Sequence, residues 1–133
     1  KHGELLTSIL IKKESYENYY GHYIKYAMRN AMDIATTGCS ANVKLSDDKK
    51  TIVSARIAYG VAAPVPIRAK SAEEFLNGKE ATAKNIAAFA KKALDDVNPR
   101  TSWRASKELR LQLIEELSKR AMTEAVRLAG GEI

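Results

Sequence analysis

The fold is decided by two neighbouring stretches, Ile34-Ala-Thr-Thr-Gly-Cys-Ser-Ala-Asn-Val-Lys-Leu45 and Thr51-Ile-Val-Ser-Ala-Arg-Ile-Ala-Tyr59, which are separated only by the polar residues 46–50. Both stretches predict β-strands, because β-branched and small apolar residues alternate with more polar ones. Two strands joined by a short polar turn predict an antiparallel hairpin. The predicted apolar face of the second strand consists of Val53, Ala55, Ile57 and Tyr59.

The residues before the hairpin predict one further strand and two irregular segments. Residues 4–11 are rich in Leu and Ile and are predicted to form a strand. Residues 12–23 contain a tyrosine cluster, which favours packing against a partner domain or the sheet edge over stacking on a planar ligand. Residues 25–35 show no helical or strand period and combine two cations and an anion with small residues. They are predicted to form a loop that faces a ligand.

The second half of the chain predicts helices. Two prolines in residues 60–68 exclude a central strand and predict an extended crossover. Ser71 and Glu74 have the spacing of a capping box, which predicts a short helix before Gly78. Residues 82–97 and 105–128 carry apolar residues at helical spacing. Because strands precede helices, we expect an α+β fold. It would have an antiparallel sheet of three to four strands, with three helices packed on one face.

The composition fits one domain over residues 1–133 and excludes several classes of site. The single cysteine, Cys39, excludes an internal disulfide, a cysteine-rich zinc site and an iron–sulfur cluster held by this chain alone; it is predicted to be buried. No apolar run is long enough for a membrane span and no leader is evident, so a cytoplasmic location is expected. The net charge of +6 is spread over the chain, which favours a solvated basic surface over a nucleic-acid-binding module. A first residue other than Met suggests a fragment of a longer protein.

Catalytic motifs are not evident in the sequence. It contains no glycine-rich phosphate loop, and no histidine or carboxylate pair suggests metal or acid–base chemistry. Asp95 and Asp96 are predicted to be a solvated surface pair. In residues 100–110, Trp103 is predicted to anchor the last helix against the sheet. Arg104 and Arg110 are predicted to bind carbonyl or carboxylate groups of the preceding loop, with ligand contact as the less favoured alternative.

Three segments together resemble one known family: Lys25-Tyr-Ala-Met-Arg-Asn-Ala-Met-Asp-Ile-Ala35, Ala55-Arg-Ile-Ala-Tyr-Gly-Val-Ala-Ala-Pro-Val-Pro-Ile-Arg-Ala69 and Trp103-Arg-Ala-Ser-Lys-Glu-Leu-Arg110. In this order and at this spacing they resemble the C-terminal domain of the FAD-binding subunit of molybdenum hydroxylases. That family includes xanthine dehydrogenases, aldehyde oxidoreductases and carbon monoxide dehydrogenase. The sequences of these segments are most similar to the bacterial xanthine dehydrogenase type with separate subunits, and the resemblance covers nearly the whole chain.

The resemblance implies a role in electron transfer. It implies that N-terminal domains absent from this chain bind most of the FAD, and that the isolated domain has no turnover. Electrons would come from a molybdenum cofactor through two [2Fe-2S] clusters, which an iron–sulfur subunit and a molybdenum-binding subunit would carry. NAD or another acceptor would then oxidise the FAD. A ligand-free scaffold domain for subunit docking and a basic nucleic-acid-binding module are the alternatives.

Three residues are implied as cofactor-binding, and none as catalytic or metal-binding. Lys25 matches a lysine that reaches toward the flavin ring, where a cation would stabilise the reduced, anionic form. Arg29 and Asp33 match the loop that lies over the flavin. The alternative is that Arg29 and Asp33 only pair with each other to shape the loop. Asn30 replaces a position that is often charged in the family, which leaves the identity of the acceptor open.

Overall fold

The computed structural model describes residues 2–133 and contains a four-stranded antiparallel sheet with its strands in chain order. The predicted α+β class, with helices on one face of the sheet, is confirmed. Among residues 2–133, no helix combines the length and the apolar character needed to cross a membrane. The elements are β1 (Tyr20–Tyr26), β2 (Thr37–Leu45), β3 (Ile52–Gly60), β4 (Ile67–Arg68), α1 (Lys70–Leu76), α2 (Ala83–Lys92) and α3 (Lys107–Leu128), with 3-10 turns at Lys13–Ser15 and Ala93–Asp96.

The core lies between the sheet and the helices. Alternate residues of β2 and β3 point toward the helices and are fully or almost fully buried, so the hairpin has one apolar face. Helix α3 packs across β1 and β2, α1 packs against β3, and α2 packs on both helices. Phe89 of α2 and Ile114 of α3 are completely buried in this layer. The buried thiol predicted for Cys39 is confirmed.

A β-bulge in the hairpin changes one predicted core position. Lys44 pairs with Ser54 and Leu45 pairs with Ile52, so Val53 is an extra residue without a partner in β2. The bulge turns Ile52 inward and leaves the Val53 side chain 51% exposed. The prediction that Val53 belongs to the buried face is therefore wrong.

Side chains of α1 and of its C-cap residue, Asn77, complete the hydrogen bonding of β3 where the short strand β4 ends. The Ile57 N–H donates to Glu73 Oε1 at 2.9 Å, and the Ala55 N–H donates to Asn77 Oδ1 at 2.8 Å. The buried Glu73 carboxylate also accepts from the Arg68 guanidinium, with 2.6 Å between Arg68 Nη2 and Glu73 Oε2. Helix α1 thereby covers an edge that would otherwise expose unpaired backbone groups.

The predicted strand over residues 4–11 is wrong. These residues form no strand in the described part of the chain, and their Leu and Ile side chains are 68–88% exposed. Apolar composition alone does not make a strand, because a strand also needs a neighbouring strand for its hydrogen bonds. No strand among the described residues pairs with residues 4–11. The edge strand is instead β1, within the tyrosine-rich region, where His22 and Ile24 turn toward the helices.

The predicted capping box is also wrong, although a helix begins where it was expected. Helix α1 has Ala69 at its N-cap, and the side chain of this residue makes no capping hydrogen bond. The Ser71 N–H and hydroxyl group instead both donate to Asp96 Oδ2, at 3.0 and 2.6 Å. Asp96 is therefore a tertiary contact that holds the start of α1, and the prediction of a solvated Asp95–Asp96 pair is wrong for this residue.

Candidate functional site

The sheet topology brings the three family-like segments to one end of the molecule. In an antiparallel sheet, β1 and β3 end where β2 and β4 begin, so the loops of residues 27–36 and 61–66 lie at the same end. The loop of residues 98–106, which precedes α3, is joined to them because the Asn98 N–H donates to the Ala62 carbonyl at 2.9 Å. We call these three loops the loop end of the sheet.

The predicted residues Lys25, Arg29 and Asp33 meet at the first of these loops, but Lys25 and Tyr26 belong to β1, so the prediction of a loop over residues 25–35 is wrong for these two residues. The Asp33 carboxylate accepts from the backbone N–H groups of Met28 and Arg29, at 2.9 and 3.3 Å. The Arg29 guanidinium donates to the Met32 carbonyl at 2.6 Å, and the Lys25 ammonium donates to the Asp33 carbonyl at 2.6 Å. Arg29 and Asp33 therefore shape the loop through backbone groups, and Asp33 does so as short polar side chains do in turns.

The loop surroundings keep Asp33 ionised. Desolvation acts to raise the pKa of this carboxyl, but the backbone N–H groups of Met28 and Arg29 and the positive charge of Arg29 outweigh it and lower the pKa. Residues 25–33 consequently carry two cations and one anion at neutral pH, with only Asp33 as the balancing charge.

Backbone strain and exposed apolar side chains also occur at the loop end. Met32 has φ of 52° and Val61 has φ of 63°. A positive φ is especially unfavourable for Val61, because its side chain is β-branched. Such outliers concentrate at functional sites. The side chains of Met28, Met32 and Ile34 are 62–92% exposed, so the outer surface of loop 27–36 is apolar beside its cations. This arrangement offers an apolar surface beside two cations, Lys25 and Arg29.

Arg110 of α3 fastens the loops together, which confirms the prediction for this residue. Its side chain is only 2% exposed. Nε donates to the Thr36 carbonyl at 3.2 Å, Nη2 donates to Ser102 Oγ at 2.8 Å, and Nη1 donates to the Arg100 carbonyl. Desolvation, followed by the positive charges of Arg100 and Arg104, lowers the pKa of Arg110.

Trp103 lies at an exposed tip of the third loop. Ser102 pairs with Ala105, so Trp103 and Arg104 form the turn between them. The indole is 79% exposed, and the Arg104 guanidinium carbon lies 4.0 Å above its ring centre. The prediction that Trp103 anchors α3 against the sheet is therefore wrong, because the turn directs its side chain outward.

A cavity that sequence reasoning missed lies beside these loops. It has a volume of about 550 Å³ and is lined in part by Asn98, Arg100 and Lys107. The Lys107 ammonium donates to Asn98 Oδ1 at 2.9 Å. A second cavity of about 570 Å³ lies at the opposite end of the sheet and contains none of the three family-like segments. We therefore place the candidate site at the loop end. Within residues 2–133, no group of three or more His, Cys, Asp or Glu side chains could hold a metal ion.

The tyrosines of residues 12–23 differ in their exposure to solvent, because Tyr19 packs on the sheet whereas the others are exposed. The Tyr19 hydroxyl donates to Ser54 Oγ at 2.9 Å and accepts from Arg56 Nη2 at 3.0 Å, so Tyr19 packs on β3. Tyr23 lies over β2 on the face without helices, where a β-carbon at Gly38 would be 2.9 Å from the Tyr23 Oη. Glycine at position 38 thus allows the tyrosine ring to approach the strand.

Comparison with known proteins identifies relatives over the whole chain. The xanthine dehydrogenase FAD-binding subunit of Escherichia coli O157:H7 is 41% identical over 133 residues, as is a putative xanthine dehydrogenase FAD-binding subunit of Escherichia coli strain K12. Each match covers 100% of this chain and 45% of the relative, so the chain spans less than half the length of these proteins.

Solved structures share the fold. Quinoline 2-oxidoreductase from Pseudomonas putida 86 matches with a TM-score of 0.76 at 28% identity, over 84% of this chain and 38% of that chain. Carbon monoxide dehydrogenase from Hydrogenophaga pseudoflava matches with a TM-score of 0.75 at 28% identity, over 85% of this chain and 38% of that chain.

The family assignment follows from these matches. The family model of the CO dehydrogenase flavoprotein C-terminal domain matches residues 22–125. This range includes all three converging loops, and the resemblance expected from the three segments is confirmed. The chain belongs to the CO dehydrogenase flavoprotein C-terminal domain family.

Proposed function

We propose that the chain is the C-terminal domain of the FAD-binding subunit of a molybdenum hydroxylase of the xanthine dehydrogenase type. In this role, domains outside the chain bind most of the FAD, and the loop end covers the flavin. The observation that carries the proposal is the convergence of the three family-like segments, in which Lys25 at the end of β1 and Arg29 and Asp33 of the following loop form hydrogen bonds to the loop backbone. The relatives named as FAD-binding subunits of xanthine dehydrogenase support it.

The residues of the loop end suit a partial flavin site. Exposed Met28, Met32 and Ile34 would exclude water from one side of the ring. The Lys25 ammonium would stabilise negative charge on a reduced flavin, as a fixed cation does near a developing anion. The sequence contains no phosphate-binding loop, so the domain is better suited to covering the flavin than to binding the whole cofactor. When bound, FAD would supply the electron-transfer chemistry.

The proposal extends to partners that the chain does not contain. A molybdenum cofactor and [2Fe-2S] clusters would be carried by a molybdenum-binding subunit and an iron–sulfur subunit, and electrons would leave the FAD to NAD or another acceptor in the cytoplasm. One matching solved structure is described as a carbon monoxide dehydrogenase that lacks the Mo-pyranopterin moiety of its molybdenum cofactor. The exposed Trp103, stacked on Arg104, offers the kind of side-chain pair that often anchors a subunit interface.

The test compares the full-length subunit with a shortened version from which this 133-residue domain has been deleted. We expect the shortened subunit to retain some FAD but to release it faster, because one side of the ring loses its cover. The 133-residue chain alone should bind FAD weakly or not at all and show no turnover. Equal rates of FAD release with and without the domain would contradict the proposed cover.

A charge substitution tests the role of Lys25. In the full-length subunit, Lys25→Gln should shift the flavin reduction equilibrium toward the oxidised form by about fivefold, the effect of one partly exposed charge. Spectroscopic redox titration would measure this shift. Lys44→Gln is a matched control, because Lys44 lies on the same face of the sheet near the opposite end. Equal flavin potentials in both variants and the unmodified subunit would exclude Lys25 from the flavin environment.

A further inference from the structure

Arg110 is a buried cation without a buried anion to balance it. Its side chain is 2% exposed, yet none of the ion pairs within residues 2–133 includes it. The positive charges of Arg100 and Arg104 repel it and add to the effect of burial in lowering its pKa. Burying a charge in this way is unfavourable, and an apolar residue of similar size would commonly give a more stable protein. The packing of α3 alone therefore does not account for an arginine here.

The hydrogen bonds of Arg110 explain the choice of side chain. Its acceptors are the Thr36 carbonyl, the Arg100 carbonyl and Ser102 Oγ, which belong to two different loops. The planar guanidinium presents donors in fixed, divergent directions and can serve all three acceptors at once. A lysine ammonium keeps the charge, but its single nitrogen cannot reach the same three positions.

The Thr36 carbonyl is where Arg110 holds the loop of residues 27–36. The start of that loop follows directly from β1, and the bond between Lys25 of β1 and the Asp33 carbonyl ties the strand to the second half of the loop. Its end is fixed by two hydrogen bonds of Thr36. The Thr36 N–H donates to the Tyr26 carbonyl at 2.8 Å, and the Thr36 carbonyl accepts from Arg110 Nε. Arg110 is the contact that ties this end to the loop of residues 98–106.

We propose that Arg110 is a positioning residue that holds loop 27–36 against loop 98–106 and thereby sets how closely the first loop covers the flavin. The flavin part of this inference rests on the proposed function. The loop contact itself does not. Arg110 touches neither cofactor nor substrate in this scheme and acts only through the position of the loop.

The experiment uses the full-length FAD-binding subunit in its complex, with Arg110→Lys and Arg110→Met as test variants. Arg120→Lys is the matched control, because Arg120 is an exposed arginine of the same helix, paired with Glu116. Amide hydrogen exchange in residues 27–36 is measured with and without FAD. We expect about tenfold faster exchange there in both Arg110 variants, and no change in the control. If Arg110→Met does not fold, Ser102→Ala removes one acceptor and should give a smaller increase in the same segment.

Two further readouts separate positioning from general damage. The rate of FAD release, followed by the fluorescence of free FAD, should rise about tenfold in Arg110→Lys. The KM for the electron acceptor should change, whereas the KM for the hydroxylated substrate should not. A uniform loss of all activities, in proportion to the folded fraction, would overturn the proposal.

The outcomes distinguish the inference from the proposed function. Unchanged exchange in residues 27–36 of Arg110→Lys would overturn the role of Arg110, whatever happens to the flavin. Faster exchange with unchanged FAD release and acceptor KM would support the loop contact. That result would overturn the flavin cover and, with it, the proposed function of this loop.

Discussion

The helix-covered core and the loop end of the sheet use polar groups in opposite ways. In the core, the Tyr59 hydroxyl and Ser118 Oγ are 2.6 Å apart, and the network is enclosed by apolar side chains. At the loop end, Lys25, Arg29 and Asp33 remain near solvent and bind mainly backbone groups. The core polar groups stabilise one packing arrangement, whereas the loop groups keep a charged surface in a fixed shape. Stability and the proposed chemistry are therefore located in different parts of the domain.

The largest difference between the two regions should appear on deletion of an apolar side chain. Phe89→Ala in α2 should lower the free energy of unfolding by about 3–5 kcal/mol, because it removes a completely buried ring and leaves a cavity. Met28→Ala at the loop end should lower it by less than about 0.5 kcal/mol, because that side chain is largely exposed. Urea unfolding of the 133-residue chain measures both. Similar losses would show that the loop end contributes to stability as the core does.

The core was predictable from the sequence because periodicity reports burial. The hairpin strands repeat apolar residues at strand spacing and α3 repeats them at helical spacing, and the N-cap of α3, Ser106, lies one residue from the expected start. The strand over residues 4–11 failed because composition cannot show whether a neighbouring strand exists. The bulge at Val53 shifts register by one residue, which the local pattern does not specify.

The loop end was predictable only in part. The grouping of Lys25, Arg29 and Asp33 followed from their place in one segment, and the role of Arg110 as a hydrogen-bond donor to loop carbonyl groups followed from its chemistry. The cavity lined in part by Asn98 and Lys107 was not foreseen, because it depends on how separate loops meet. The outward direction of Trp103 depends on a turn whose geometry is set by tertiary contacts.

An intermediate effect is expected from alkaline pH acting on the core. Burial raises the pKa of the Cys39 thiol to about 12, although a hydrogen bond from Ser118 opposes the shift. The unfolded chain loses this proton near pH 9, while the folded chain retains it, so the folded state is stabilised below pH 9 relative to higher pH. Stability should fall as pH rises from about 9 toward about 12.

The measurement for this prediction is urea unfolding at pH 8 and pH 10.5. The Cys39 contribution should reduce the free energy of unfolding by about 2 kcal/mol between these values. Cys39→Ala is the comparison, because groups that do not interact with Cys39 titrate alike in both proteins and cancel in the difference. Burial also raises the pKa of Tyr59, so both proteins should lose further stability at high pH. Parallel pH dependences for the two proteins would contradict the prediction.

The smallest effect on global stability, and the most local one, is expected from Asp33. Asp33→Ala removes the acceptor for the N–H groups of Met28 and Arg29, but these groups lie near solvent and can bind water instead. The urea midpoint should therefore stay unchanged, while trypsin should cleave after Arg29 several-fold faster. Asp33→Asn keeps an oxygen acceptor and removes the charge, so it should protect the bond after Arg29 better than alanine does. Equal cleavage of the two variants would mean that the charge of Asp33, rather than its hydrogen bonds, orders the loop.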